Sequence, residues 1–232
     1  MARGTQLLQL VTMLRDETGR NDSVAVGVDE TPTLKAILRR WQNTLYERFP
    51  WPHLRTVFDR IPLQAGERYY DFPADLDVDR VESVAAWDSS YPRPLTRGIT
   101  FREYAVYDSE SDVRADPALR WDVRWTGTRE QIEVWPVPAS NDLELQFIGI
   151  RKCRPLVANA DVADLDDHLI VLSAASELMP KGSEIAAVKA KLAADRYNTL
   201  TRNAQANAQT YRMGSGPVVE HHKGRVTVHV SR

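Results

Sequence analysis

The stretch from Thr31 to Pro52, Thr-Pro-Thr-Leu-Lys-Ala-Ile-Leu-Arg-Arg-Trp-Gln-Asn-Thr-Leu-Tyr-Glu-Arg-Phe-Pro-Trp-Pro, limits the possible folds more than any other part of the chain. Leu34, Ile37, Leu38, Trp41 and Leu45 recur at three- and four-residue steps, so they form one apolar stripe of a helix, with Lys35, Arg39, Arg40, Asn43 and Glu47 turned away from it. Thr31 is expected to cap the first turn, and Pro32 sits at the first helical position, where its missing N–H costs nothing. Pro50 and Pro52 stop the helix, because proline lacks the amide and pushes its predecessor out of the α region. A helix with one apolar stripe is stable only when something covers the stripe. The rest of the chain has to supply that cover.

Helical spacing occurs on both sides of a long non-helical region. Residues 5–18 place Leu7, Leu10, Val11 and Leu14 on one side and end at Gly19, a plausible C-terminal stop. Residues 20–30 read as an extended connector. Leu165 to Met179 is expected to be a helix with Leu165, Leu169, Leu172 and Leu178 inward, and Asp161, Asp164, Asp166 and Asp167 gathered where its dipole favours anions. Ser183 and Glu184 open a last helix, whose expected stripe is Ile185, Val188, Leu192, Tyr197 and Leu200. Thr201 to Arg212 remains helix-compatible but carries no stripe, so it should project past the core.

Between Leu54 and Pro155 the helical period fades, and Gly and Pro separate short runs of Val, Tyr, Trp and Ile. Val57–Leu63 and Arg68–Phe72 read as a hairpin turning at Gly66. Val78–Trp87 is a strand and Thr100–Asp108 a short helix. Trp121–Thr126 with Gln131–Val137 is a hairpin about Gly127, and Leu143–Arg151 is a strong strand. This spacing predicts a small antiparallel sandwich or barrel. The expected fold class is therefore α+β: a helical bundle from residues 1–53 and 156–212, an inserted antiparallel β domain over residues 54–155, and an extended C-terminal arm over residues 213–232. The arm follows the Gly214-Ser-Gly-Pro217 joint and alternates Val226, Val228 and Val230 with Thr227 and His229. It could pair with Val218–His221 as a terminal hairpin or add to another subunit's sheet edge.

Lys and Arg number 30 against 32 Asp and Glu, so the net charge of -2 gives no global attraction for nucleic acid. The single cysteine, Cys153, excludes an internal disulfide framework and a thiolate zinc site. The absence of a membrane-length apolar run and of an apolar signal core predicts a soluble, unexported protein. No phosphate-binding glycine loop, nucleophile elbow or His-Glu-x-x-His occurs, so no enzyme activity and no cofactor are expected. Asp108, Glu110 and Asp112 have the spacing of a calcium loop but lack its glycine and final glutamate. His221, His222 and His229 are weak metal candidates without a placed acid, and Cys153 has no adjacent histidine to activate it.

The order of an N-terminal helix, a helix ending Phe49-Pro-Trp-Pro52, the segment Gly66-Glu-Arg-Tyr-Tyr-Asp-Phe-Pro73, a Val-rich strand, a strand ending Trp135-Pro-Val-Pro138 and a C-terminal helical pair resembles the head-to-tail adaptor proteins of tailed bacteriophages. The resemblance covers roughly residues 5–205. It implies a virion structural protein, made in the host bacterial cytoplasm, that forms a homo-oligomeric ring, typically of twelve copies, between the portal protein and the next tail or neck component. Packaged double-stranded DNA would pass through its channel without sequence-specific contacts, and no membrane is involved. The arm that reaches the portal would be carried by Pro217, Val218, Val219, Lys223, Arg225, Val226, Val228 and Val230. Candidates for subunit-interface or channel-lining positions are Arg39, Arg40, Arg202, Asn203, Gln205, Asn207, Gln209 and Arg212. Another tail or neck completion protein, and a cell-wall-hydrolysing tail protein, are the alternatives.

Overall fold

A computed structural model describes residues 3–20, 30–88, 91–107, 113–180 and 182–208. Within these the fold is α+β, as expected. Helices α1 (Leu7–Thr18) and α2 (Thr31–Arg48) come first, and a single 3-10 turn, Pro52–Leu54, leads into the strands. The strands are β1 (Arg55–Val57), β2 (Ile61–Pro62), β3 (Tyr69–Tyr70), β4 (Leu76–Asp88), β5 (Tyr91–Pro94) and β6 (Thr96–Arg97). Then come the short helix α3 (Phe101–Val106), strands β7 (Arg120–Trp125), β8 (Glu130–Trp135) and β9 (Leu143–Arg151), and helices α4 (Asp167–Leu178) and α5 (Glu184–Ala208).

The helices α1, α2, α4 and α5 share one core. Leu7, Leu10 and Leu14 of α1, Leu34, Leu38 and Leu45 of α2, and Leu169, Ile170 and Ala174 of α4 are all buried in it. Helix α1 ends at Gly19, whose φ of 64° is left-handed and whose N–H bonds back to Asp16 O at 3.3 Å. The centre of the bundle is α4, not α2. Leu169, Ile170, Val171, Ser173, Ala174 and Ala175 are consecutive or nearly so and all buried, so this helix is covered around most of its circumference. A single stripe of Leu165, Leu169, Leu172 and Leu178 underestimates that cover, since Leu172 and Leu178 are only partly buried.

Two further expectations change inside the bundle. Trp41 is not in the core; it lies at the edge, half-buried, with its indole N–H donating to Glu177 Oε2 at 2.9 Å. Gln42 and Tyr46, which the apolar stripe left out, are buried as well because each reaches a specific polar partner across the joint with the sheet. The fully enclosed tryptophan is Trp51, 2% exposed, with its N–H on Leu45 O at 2.9 Å and its ring edge-on to Phe49 and Tyr197. The last helix differs more. Its inward face is built from Ala186, Lys189, Ala193, Tyr197 and Leu200, whereas Ile185, Val188 and Leu192 point outward. Small alanines let α5 lie close to α4, and a side-chain stripe chosen by size alone misses that.

The strands form two sheets. One runs β1-β9-β4-β5 with β2 also on β9; the other runs β3-β8-β7-β6. Phe147, Leu145 and Val84 from the first meet Ile132, Val134 and Trp121 from the second in a separate core. The 57–72 hairpin does not exist. Gly66 does make a turn, with φ of 84° and Glu67 N–H on Gln64 O, but β2 before it pairs with β9 while β3 after it pairs with β8. The turn carries the chain from one sheet to the other. The hairpin of β7 and β8 about Gly127 and the strand β9 stand as expected. Gly149 in β9 is required by contact: a Cβ there would lie 2.8 Å from Leu76 Cδ1 and 2.9 Å from Arg80 O, where β4 bulges over it.

Replacing Trp51 with Ala should cost about 3–5 kcal/mol of stability, because a buried aromatic and its surroundings are lost together. Trp41→Ala, which removes a half-exposed ring and one hydrogen bond, should cost about 1–2 kcal/mol. Urea denaturation of both variants checks the order, and equal losses would contradict the packing described.

Candidate assembly interface

The acidic run before α4 does more than complement a helix dipole. Asp161 accepts N–H bonds from Val157 and Ala158 at 2.6 and 2.7 Å, which closes its own loop. Asp164 is buried and takes both guanidinium groups at the end of β9: Arg151 at 2.9 and 2.6 Å, and Arg154 at 2.9 and 2.6 Å together with the Arg154 amide at 2.8 Å. The backbone of Asp164 also meets Gln42 of α2 and the His53 ring. Asp166 caps α4 through the Leu169 amide at 3.1 Å and holds Arg196 of α5 at 2.7 Å. Asp167 accepts the Thr5 hydroxyl at 2.6 Å. Three successive carboxylates thus bind the sheet, α5 and the segment before α1.

A second polar joint fastens α2 to β4. The Tyr46 hydroxyl donates to Asp77 Oδ2 at 2.6 Å, and the Arg80 guanidinium stacks 4.4 Å over the Tyr46 ring while donating to Glu47 O at 2.8 Å and Phe49 O at 3.2 Å. Burial and the Asp77 carboxylate push the Tyr46 hydroxyl well above the ordinary phenol range. On the outer face of the second sheet, the fully buried Glu133 accepts from Arg68, Arg124 and the Tyr104 hydroxyl, which holds α3 in place. Glu133 is buried, and all of these charges are paired and hydrogen-bonded, so they fix geometry.

None of these groups is arranged for covalent chemistry. Cys153 packs against the helical core, and burial followed by the Asp164 charge pushes its thiol up to about 12, away from the nucleophilic thiolate. Among the described residues no cluster of three His, Cys, Asp or Glu side chains could hold a metal. No described helix is long and apolar enough to cross a membrane. Asp108, Glu110, Asp112 and the three tail histidines lie outside the described residues.

What the molecule offers instead is surface. The outward α5 stripe exposes Ile185, Val188 and Leu192 by 58, 55 and 47% on one flank of a helix about 37 Å long. Scattered exposed apolar residues are ordinary, but three at helical spacing on a rigid helix form a ready contact ridge. Where α5 passes the sheet joint, a cleft of about 940 Å³ opens between Trp51, Pro52 and Arg55 on one wall and Leu200, Asn203 and Gln205 on the other.

The positions singled out from the sequence fall as follows. Arg39 is half-buried and donates to Leu156 O at 2.7 Å, and Arg40 is exposed and paired with Glu177. Arg202, Asn203 and Gln205 are exposed on the last turns of α5, and Asn203 and Gln205 line the cleft. Asn207 lies in the final turn of α5. Gln209, Arg212 and the arm from Pro217 to Val230 lie outside the described residues. The sequence reading missed the Asp164 and Asp166 pairings, although four aspartates within seven residues facing unassigned arginines was the available signal.

A family model for the SU10 adaptor protein matches residues 5–220. The chain belongs to the SU10 adaptor family. It is thus a phage structural adaptor-type protein, and the family implies interaction with other phage head and tail proteins and a place in the virion. No curated protein matched the sequence. The matched span takes in the acidic run, both polar joints and the whole of α5, so the adaptor assignment and the rigid scaffold cover the same residues.

Asp164 gives this scaffold a pH signature. Burial would raise its carboxyl, but the hydrogen bonds from Arg151 and Arg154 outweigh burial and lower it from 3.8 to about 2. A depressed carboxylate stabilises the fold fully above its unfolded value and loses that contribution as the proton returns. Stability should therefore fall as pH drops from about 4 to about 2. Asp164→Asn should be less stable at neutral pH and flatter across that window in thermal melts.

Proposed function

We propose that the protein is a head-to-tail adaptor, a ring-forming subunit placed between the portal and the next tail or neck component. The observation that carries this reading is the uncovered α5 ridge of Ile185, Val188 and Leu192, which lies within the span matching an adaptor family. A closed ring joins two different faces of the same subunit, so each copy needs an exposed contact ridge on a rigid flank and a complement elsewhere. The Asp166–Arg196 and Glu17–Lys189 ion pairs hold α5 against the bundle and so keep that ridge fixed.

In this reading the ring holds twelve copies and extends the channel for packaged double-stranded DNA. The exposed guanidinium of Arg202 and amides of Asn203 and Gln205 sit at subunit interfaces or face the lumen, where contacts to the phosphate backbone carry no sequence readout. Arg39 and Arg40 are already engaged within the subunit, which leaves the end of α5 as the stronger lumen candidate. Residues 213–232 form the arm that docks on the portal, and the subunit works through contacts that exist only in the assembly.

The test is electron microscopy of the purified protein, alone and mixed with the portal encoded beside it, with mass from light scattering. Rings that form on the portal are expected. Ile185→Glu with Val188→Glu should leave the subunit folded but prevent ring closure, and deletion of residues 214–232 should abolish attachment while leaving the fold intact. A wild-type protein that ignores the portal would favour a tail-completion role.

A further inference from the structure

We infer that the ridge of Ile185, Val188 and Leu192 on one copy seats in the groove between α2 and α5 of the next copy, so that a single helix carries both halves of the ring contact. This pairing rests on the ring reading above and supplies the complement that a head-to-tail contact requires. Helices α2 and α5 both pack on α4. Between them lies a cavity of about 200 Å³, walled by Trp41 and Arg48 on α2 and by Ala190, Ala194 and Asn198 on α5. Its floor is Leu45, Leu169 and Ala193, and the Ser176 hydroxyl beside them is turned back on Ser173 O at 2.7 Å. A cavity of about 150 Å³ accepts a benzene ring, so this one has room for a leucine side chain.

The two surfaces lie on opposite flanks of α5. At about 100° per residue, measured from the buried Ala193, the ridge residues stand roughly 80–140° round the helix in one sense, and Ala190, Ala194 and Asn198 stand roughly 60–140° round it in the other. Two copies related by a two-fold axis cannot satisfy both flanks at once, whereas a head-to-tail series can. The heights match as well. A cyclic ring has no shift along its axis, so with α5 along that axis Leu192 of one copy stands between the levels of Ala190 and Ala194 in the groove of the next. Charge agrees with this register. Asp195, three residues beyond Leu192, and Arg48, in the α2 wall, are both exposed, and among the described residues neither has an ion-pair partner. The Tyr197 hydroxyl donates to Arg48 O at 3.4 Å, so Arg48 is level with Tyr197, about 3 Å along the helix from Asp195. The Asp195 carboxylate of one copy thereby reaches the Arg48 guanidinium of the next.

Cysteine cross-linking of the full-length chain mixed with the portal tests the pairing. Leu192→Cys and Ala194→Cys are placed in one chain. Two residues apart on a helix they do not face each other, and Cys153 packs against the helical core, so a disulfide between the new thiols has to join two copies. Mild oxidation should give a ladder of covalent oligomers, and each single variant should give none. Native rings seen by electron microscopy, with no ladder from the double variant, would overturn the pairing and leave the ring reading standing. If the native chain forms no rings, the ring reading and the pairing fall together. A covalent dimer from Leu192→Cys alone would set ridge against ridge and also overturn the pairing. Charge reversal gives a second readout on exposed side chains, with thermal melting unchanged. Arg48→Glu should lower the yield of rings at least about tenfold, and Arg48→Glu with Asp195→Arg should restore it. A loss that the double reversal does not rescue would overturn the register.

Discussion

The buried carboxylate of Asp164 is the interaction on which the arrangement of the whole chain depends. It accepts hydrogen bonds from two arginines at the point where β9 hands over to the helices, and its own backbone is held by Gln42 and His53 from elements more than a hundred residues earlier. A charge so enclosed is tolerable only when every oxygen is engaged, which requires β9, α2 and the start of α4 to sit in one relative position. Asp166 and Asp167, two and three residues on, extend the same device to α5 and to the N-terminal segment. A bundle built from the two ends of a chain, with a hundred residues of strand between them, has little local information to align it. The acidic run provides the alignment.

That rigidity bears on what an adaptor has to do. A subunit that joins others presents fixed faces, and the three α5 residues that stay exposed are displayed on a helix pinned by ion pairs at two places along its inward side. The Tyr46–Asp77–Arg80 joint and the Asp164 joint together prevent the sheets from swinging relative to the helices. Paired charges in these joints act as alignment devices in a protein whose described residues show no converging reactive groups.

Much was legible in the sequence. The bounds of α1, β9 and the β7–β8 hairpin follow from a left-handed Gly19, strict alternation over Leu143–Arg151 and a turn glycine at 127, all local signals that need no partner to be read. Each misreading concerned which surface an element presents to the rest. Gly66 signals a turn correctly, but whether its two arms pair with each other or with distant strands depends on β8 and β9, which lie 60 to 90 residues away. Gln42 is enclosed while Trp41 of the stripe stays at the edge, because a hydrogen-bond partner for Gln42 exists only once Arg154 and Asp164 are folded against α2.

The sequence by itself determined the α+β class, the order of elements and the presence of an adaptor-like pattern, because hydrophobic period, caps and turn residues act over a few residues. The tertiary structure decided which helix is central, which strands share a sheet, and which apolar stripe is left outside. Helix α5 shows why. It carries two apolar faces, one of alanines and one of Ile185, Val188 and Leu192, and only the close approach of α4 selects the smaller residues for burial. Burial is a property of what an element meets, and that is not contained in the element.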